Sequence, residues 1–154
     1  LIGAMDSLDE DNITLVSIGR AKLYSMKSHN YIHLGHLVDE YSMSLCYNSA
    51  DVVIIPSLED NSPNIIIESF CCGTPVVGFS IGGIPQLIAK DFLGCVVDEI
   101  SINGLRNVIM KGLSTPYDKS MIREFALNNF SLKVLSSNYT RVYNSAIEKN
   151  INVG

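Results

Sequence analysis

The run Asp-Val-Val-Ile-Ile-Pro at residues 51–56 constrains this chain more than any other stretch. Its four consecutive β-branched residues leave no polar face for water, the pattern of a strand buried on both sides in a parallel sheet. Such a strand needs covering helices and a crossover to its parallel neighbour. The next residues supply both. A polar loop at 57–64 leads into a helix predicted over 63–72, with Ser62 as N-cap and Pro63 at the first helical position. Gly73 closes that helix. Thr-Pro-Val-Val-Gly at 74–78 is the following strand, with its proline at the start, where a strand tolerates one.

The same alternation runs along the rest of the chain. Leu1, Ile2, Met5 and Leu8 recur at helical spacing. Short apolar runs at 13–18 and 31–34 are strands stopped by Gly19 and Gly35. A helix over 39–49 is expected to turn Tyr41, Leu45 and Cys46 inward. A tight turn at 81–85 and a strand at 93–97 follow. Ile102, Leu105, Val108 and Ile109 share one helical face, a further helix spans 118–128, and Ser131 caps a last helix striped by Leu132, Leu135, Tyr139, Val142, Tyr143 and Ile147. Strands alternating with helices predict an α/β fold, a Rossmann-like doubly wound parallel sheet with helices on both faces. The 154 residues suit one domain.

Composition narrows the function classes. A hydrophobic share of 47% spread along the chain marks a folded domain. A net charge of −5 offers no basic face for nucleic acid. Cys46, Cys71, Cys72 and Cys95 lack zinc-site spacing and read as small buried hydrophobes in a reducing compartment. With no apolar run of about 20 residues and no leader pattern, the expectation is a cytoplasmic domain, any membrane contact being peripheral or made by parts outside residues 1–154.

In doubly wound sheets ligands sit beyond the carboxyl ends of the strands, here after Ile18, Leu34, Ile55 and Val77. The loop at 57–64, Ser-Leu-Glu-Asp-Asn-Ser-Pro-Asn, collects polar residues there and enters a helix N-terminus, whose free N–H groups favour an anion. Asp60 on the loop and Glu68 on the helix are separated by seven residues. Ionised carboxylates only accept hydrogen bonds and so suit vicinal hydroxyls. Phosphate donors beside sugar acceptors fit a nucleotide-sugar. The same two residues also fit a helix cap and a solvated helix glutamate.

The stretch ADVVIIPSLEDNSPNIIIESFCCGTPVVGFSIGGIPQLI, residues 50–88, resembles the signature of the family 4 retaining glycosyltransferases, which have the GT-B fold. That signature has an acidic residue, seven intervening residues and a Glu, then a Cys-Gly-Thr-Pro-Val-Val strand and a Gly-Gly turn. The matching positions are Asp60, Glu68, residues 72–77, and Gly82 with Gly83. YIHLGHLVDEYSMSLCYNSADV and FSLKVLSSNYTRVYNSAI resemble the flanking segments.

The resemblance implies that Glu68 holds the ribose of a nucleoside diphosphate sugar and Asp60 the transferred sugar, the two carrying catalysis. It implies that backbone amides of Ser62, Pro63, Asn64 and Ile65 line sugar and phosphates, with Asn61 beside them. The backbone around His36 borders the base, and Gly19, Gly82 and Gly83 complete the donor wall. Glu59 stands next to Asp60, and either can face the sugar.

The implied reaction transfers a hexose to a glycan or lipid-linked acceptor in cell-surface polysaccharide synthesis, with no cofactor and no metal. Departures are Asp60 where the family often has Glu, and Gln86 where it often has Glu. The resemblance also implies a strand, an Arg and a Lys clamping the diphosphate, and an acceptor-binding domain, all ahead of Leu1. The chain by itself, a C-terminal GT-B domain, is then expected to be inactive. Arg20 is expected to be solvent-exposed. Alternatives are a GT-B epimerase or phosphorylase, or a non-catalytic domain keeping the fold. A dinucleotide oxidoreductase is disfavoured because no Gly-x-Gly-x-x-Gly follows a strand.

Overall fold

A computed structural model describes residues 1–8, 12–23 and 30–151. In chain order the elements are helix α1 (Ile2–Asp6), strands β1 (Thr14–Ser17) and β2 (Asn30–His33), helix α2 (Glu40–Ser49), strand β3 (Val53–Ile55), helix α3 (Asn64–Cys71), strand β4 (Val76–Phe79), short helix α4 (Ile84–Leu87), a 3-10 turn (Asp91–Leu93), strand β5 (Gly94–Val97), and helices α5 (Ile102–Ser114), α6 (Lys119–Phe130) and α7 (Leu132–Ile151). Every described strand pair is parallel. The hydrogen-bonded ladder has two parts, β1 with β2, and β3-β4-β5 in that order.

Helices cover both faces, as the alternation predicts. Successive β4 residues point to opposite sides of the sheet. Val77 and Phe79 join Ala4 and Met5 of α1, Leu15 of β1, and Leu105, Val108 and Ile109 of α5 in one core. Val76 joins Ile55 of β3, Ile66 and Phe70 of α3, Ile84 of α4, and Ile122 and Ala126 of α6 in the other. The first core takes side chains from both parts of the ladder and so joins them.

The most buried strand is β4, all four of whose residues are buried, whereas in β3 only Ile55 is. The apolar run at 51–56 marks a strand correctly, but side-chain type does not tell which strand has neighbours on both edges, and in the three-stranded part that is β4.

Polar residues fix the helix ends. Asp39 accepts the Ser42 N–H at 2.7 Å, a bond that holds its carboxyl below the ordinary aspartate range. Ser101 and Asp118 cap α5 and α6 in the same way. Lys119 Nζ donates to the carbonyls of Asn48 and Ala50 at 3.2 and 3.1 Å, a cation at the C-terminal end of α2. Gly73, with φ +75°, closes α3 and donates to the Phe70 carbonyl at 2.9 Å.

Three expectations change. The N-cap of α3 is Pro63 rather than Ser62: the chain enters the helix one residue later, past an Asx-type turn that Asp60 closes on the Ser62 N–H, and no side chain caps the helix. On α2, Tyr41 and Leu45 are exposed, and the fully buried residue is Tyr47. The inward face runs through Met43, Cys46, Tyr47 and Ala50, so the helix is rotated relative to the expected register. All four cysteines are free thiols, half-buried rather than buried. Arg20 is exposed, as expected. The stripe on α7 is also exposed, from Leu132 to Ile147.

Candidate functional site

The loop between β3 and α3 leaves the carboxyl end of β3 and is folded by its own polar groups. Asp60 Oδ1 accepts the Ser62 N–H at 3.2 Å, an Asx-type turn. The turn after β4 closes on the same loop: the Gly83 N–H donates to the Asp60 carbonyl at 3.3 Å. Side chains cannot replace the glycines there. A Cβ on Gly82 would lie 1.8 Å from the Asp60 carbonyl oxygen, and one on Gly83 equally close to that of Asn61. Gly82 also has φ +51°, in the left-handed region. The fold thus brings Asp60, Asn61, Ser62, Gly82 and Gly83 together, from two loops at one end of the three-stranded sheet.

The helix N-terminus beside this turn keeps open donors. α3 has no side-chain cap, and Pro63 has no N–H to give. The Ile66 N–H bonds to the Pro63 carbonyl at 3.1 Å. Among the described residues nothing accepts from the Asn64 and Ile65 amides, which point out of the first turn with the positive end of the helix dipole. Glu59, Asn61, Ser62, Asn64 and Ile65 are exposed, and Asp60 and Pro63 are half-buried.

Glu68 sits one turn further along α3 and is exposed. Its Oε2 accepts the Tyr47 hydroxyl at 2.8 Å, which turns it toward α2. Burial pushes Tyr47 ionisation far above the ordinary phenol range, and the hydrogen bond and negative charge of Glu68 push it further. The phenol therefore stays protonated and acts as the donor. Tyr47 was not among the expected site residues. The spacing of residues 43, 46, 47 and 50 is the signal for its inward face.

Gly19 and His36 form a separate group. The Gly19 N–H donates to the Gly35 carbonyl at 2.8 Å, joining the loops after β1 and β2. The exposed His36 follows directly. Ser17 Oγ lies 2.7 Å from the Tyr31 hydroxyl and 2.8 Å from His33 Nδ1, which fixes the ends of both strands. Among the described residues no three His, Cys, Asp or Glu side chains come together as metal ligands. Nor is any helix there long and apolar enough to cross a membrane.

Parallel strands between two helical layers, with a carboxylate and open helix amides at the strand ends, define a doubly wound type of α/β domain. The chain belongs to the family described as Glycosyl transferases group 1, whose model matches residues 1–114. It is 34% identical over 67 residues to a D-inositol 3-phosphate glycosyltransferase of Mycolicibacterium smegmatis, a match covering 44% of this chain and 15% of that protein. Its fold is similar to that of sucrose-phosphate synthase from Thermosynechococcus elongatus, with a TM-score of 0.69 at 19% identity over 96% of this chain and 41% of that one. It is also similar to AviGT4, a glycosyltransferase involved in avilamycin A biosynthesis, with a TM-score of 0.66 at 18% identity over 96% of this chain and 47% of that one. The fold is thus the α/β fold of GT-B glycosyltransferases. The chain spans less than half the length of each of these proteins.

The Gly-Gly turn predicts a stability effect. Gly82→Ala places a Cβ in a left-handed backbone and against the Asp60 carbonyl, and should destabilise the fold by roughly 1–3 kcal/mol. Urea unfolding measures this, and an unchanged midpoint would contradict the close approach of the two loops.

Proposed function

We propose that this chain is the donor-binding, carboxyl-terminal part of a family 4 retaining glycosyltransferase that transfers a hexose from a nucleoside diphosphate sugar to a glycan or lipid-linked acceptor. The observation that carries the reading is the combination on α3: open Asn64 and Ile65 amides at its start, and an exposed Glu68 carboxylate one turn on, held by Tyr47. Membership of the glycosyltransferase family supports it.

The chemistry follows from the groups present. The helix amides carry partial positive charge and donate hydrogen bonds to the diphosphate, whose negative charge grows as the sugar leaves. Donors fixed in advance stabilise such charge without reorganising. Glu68 accepts from the ribose hydroxyls. Asp60 has one oxygen bonded to the Ser62 N–H, which leaves the other for the transferred sugar. Glu59 is exposed next to it. His36 and Gly19 border the base from the first sheet, while Gly82 and Gly83 hold the Asp60 loop in place. The acceptor and the basic clamp on the diphosphate belong to parts outside residues 1–154, and the role is in cell-surface polysaccharide synthesis at the inner face of the membrane.

The two carboxylates separate in binding. Ribose is common to donor and free nucleotide, and the transferred sugar is not. Glu68→Ala should weaken both the nucleoside diphosphate and the nucleotide-sugar, and Asp60→Ala only the latter. Each charged hydrogen bond contributes roughly 1.5–3 kcal/mol, so each loss should be about ten- to a hundredfold by calorimetry. If Glu59→Ala removes nucleotide affinity while Glu68→Ala spares it, the site lies around Glu59 instead. The reading also requires no resident metal. Transfer by the intact protein should survive a strong chelator, and a rate abolished by chelation and restored by manganese or magnesium would count against it.

A further inference from the structure

Glu68 is exposed on a helix surface, where a glutamate samples several rotamers. Here one of its oxygens is fixed by a buried phenol, at 2.8 Å from the Tyr47 hydroxyl. We infer that Tyr47 is a positioning residue for nucleotide binding: it holds the Glu68 carboxylate with Oε2 against α2 and Oε1 free for the ribose hydroxyls. The inference rests on the reading that Glu68 receives the ribose.

Tyr47 is itself held in place. Its side chain is only 7% exposed. Its backbone carbonyl accepts the Thr74 hydroxyl at 2.6 Å. The Thr74 carbonyl accepts the Ser69 hydroxyl at 2.8 Å, and the Thr74 N–H donates to the Ser69 carbonyl at 2.9 Å. Ser69 is the covalent neighbour of Glu68, so the polar links form a closed ring: Glu68, Tyr47, Thr74, Ser69 and back to Glu68. Thr74 and Ser69 are fully buried, where hydrogen bonds are strong and costly to leave unmade. Lys119 anchors the end of α2 one residue beyond Tyr47. Donor and acceptor of the Tyr47–Glu68 bond therefore belong to one rigid unit, and the carboxylate is oriented before any ligand arrives. Preorganisation of this kind lowers the cost of binding. Because the phenol keeps its proton, it donates to Glu68 throughout the neutral pH range.

A tyrosine that merely stitched α2 to α3 would affect every ligand alike. One that orients the ribose acceptor affects only ligands carrying the vicinal hydroxyls. The test is calorimetric titration of the intact protein with UDP, GDP and ADP, and with the 2′,3′-dideoxy counterpart of whichever binds tightest. The variants are Tyr47→Phe, Glu68→Ala and the two combined. Tyr47→Phe should weaken the ribonucleotide by roughly three- to tenfold and leave the dideoxynucleotide unchanged. In the Glu68→Ala background the same substitution should have no effect. Equal loss for both ligands, or a loss that persists without Glu68, overturns the positioning role. If Glu68→Ala erases the preference for the ribonucleotide and Tyr47→Phe leaves it intact, the positioning role alone falls. If none of the three nucleotides binds, or Glu68→Ala keeps the preference, the ribose reading falls and takes the positioning role with it.

Discussion

Strand β4 is taken out of water along its whole length, and the rest of the architecture follows from that. Val76 faces one core and Val77 the other, and neither has measurable exposure. A strand buried on both faces must be flanked by helices, and its parallel neighbours must be reached by crossovers. Helices α3 and α6 cover one side and α1 and α5 the other. The faces being occupied, the open surface that remains is at the strand ends. The loops after β3 and β4 meet there, and the first turn of α3 begins there. The position of the candidate site is thus a consequence of how the core is closed.

That closure also sets how rigid the site is. The backbone of residues 60–61 lies directly against Gly82 and Gly83. The lead-in to β4 supplies Thr74, which ties the end of α2 to α3 through buried hydrogen bonds. The segment connecting α3 to the most buried strand therefore also fixes the geometry around Glu68. Packing and the candidate site share residues here, and a change in the core near Thr74 reaches the carboxylate through two hydrogen bonds.

Much of this was legible in the sequence, for identifiable reasons. β-Branched runs, Gly stops and Ser, Asp or Pro helix starts act locally, so element types and order could be read directly. The loop at 57–64 stood out because polar residues cluster between two strongly apolar segments. Relations that depend on neighbours were not legible. Four β-branched residues at 52–55 do not reveal that, among the described residues, β3 is hydrogen-bonded to β4 alone. The cap of α3 lies at Pro63 rather than Ser62, just past a turn that Asp60 closes on the Ser62 N–H, a contact that belongs to the folded loop. Tyr41 and Leu45 look as apolar as Tyr47; the spacing of residues 43, 46, 47 and 50 offers a second helical face beside theirs, and packing against α3 decides between the two. The Tyr47–Glu68 bond spans 21 residues and two helices, so no local pattern announces it.

The central claim is that the α3 end of this domain binds the ribose and diphosphate of a nucleotide-sugar. A crystal structure of the intact protein with a bound nucleoside diphosphate tests it most directly. The account predicts a ribose hydroxyl within about 3.2 Å of a Glu68 carboxylate oxygen and phosphate oxygens at hydrogen-bonding distance from the Asn64 and Ile65 amides. It also predicts that the Tyr47 hydroxyl remains on Glu68. A ribose held by Glu59, or a nucleotide seated away from α3 altogether, would contradict it.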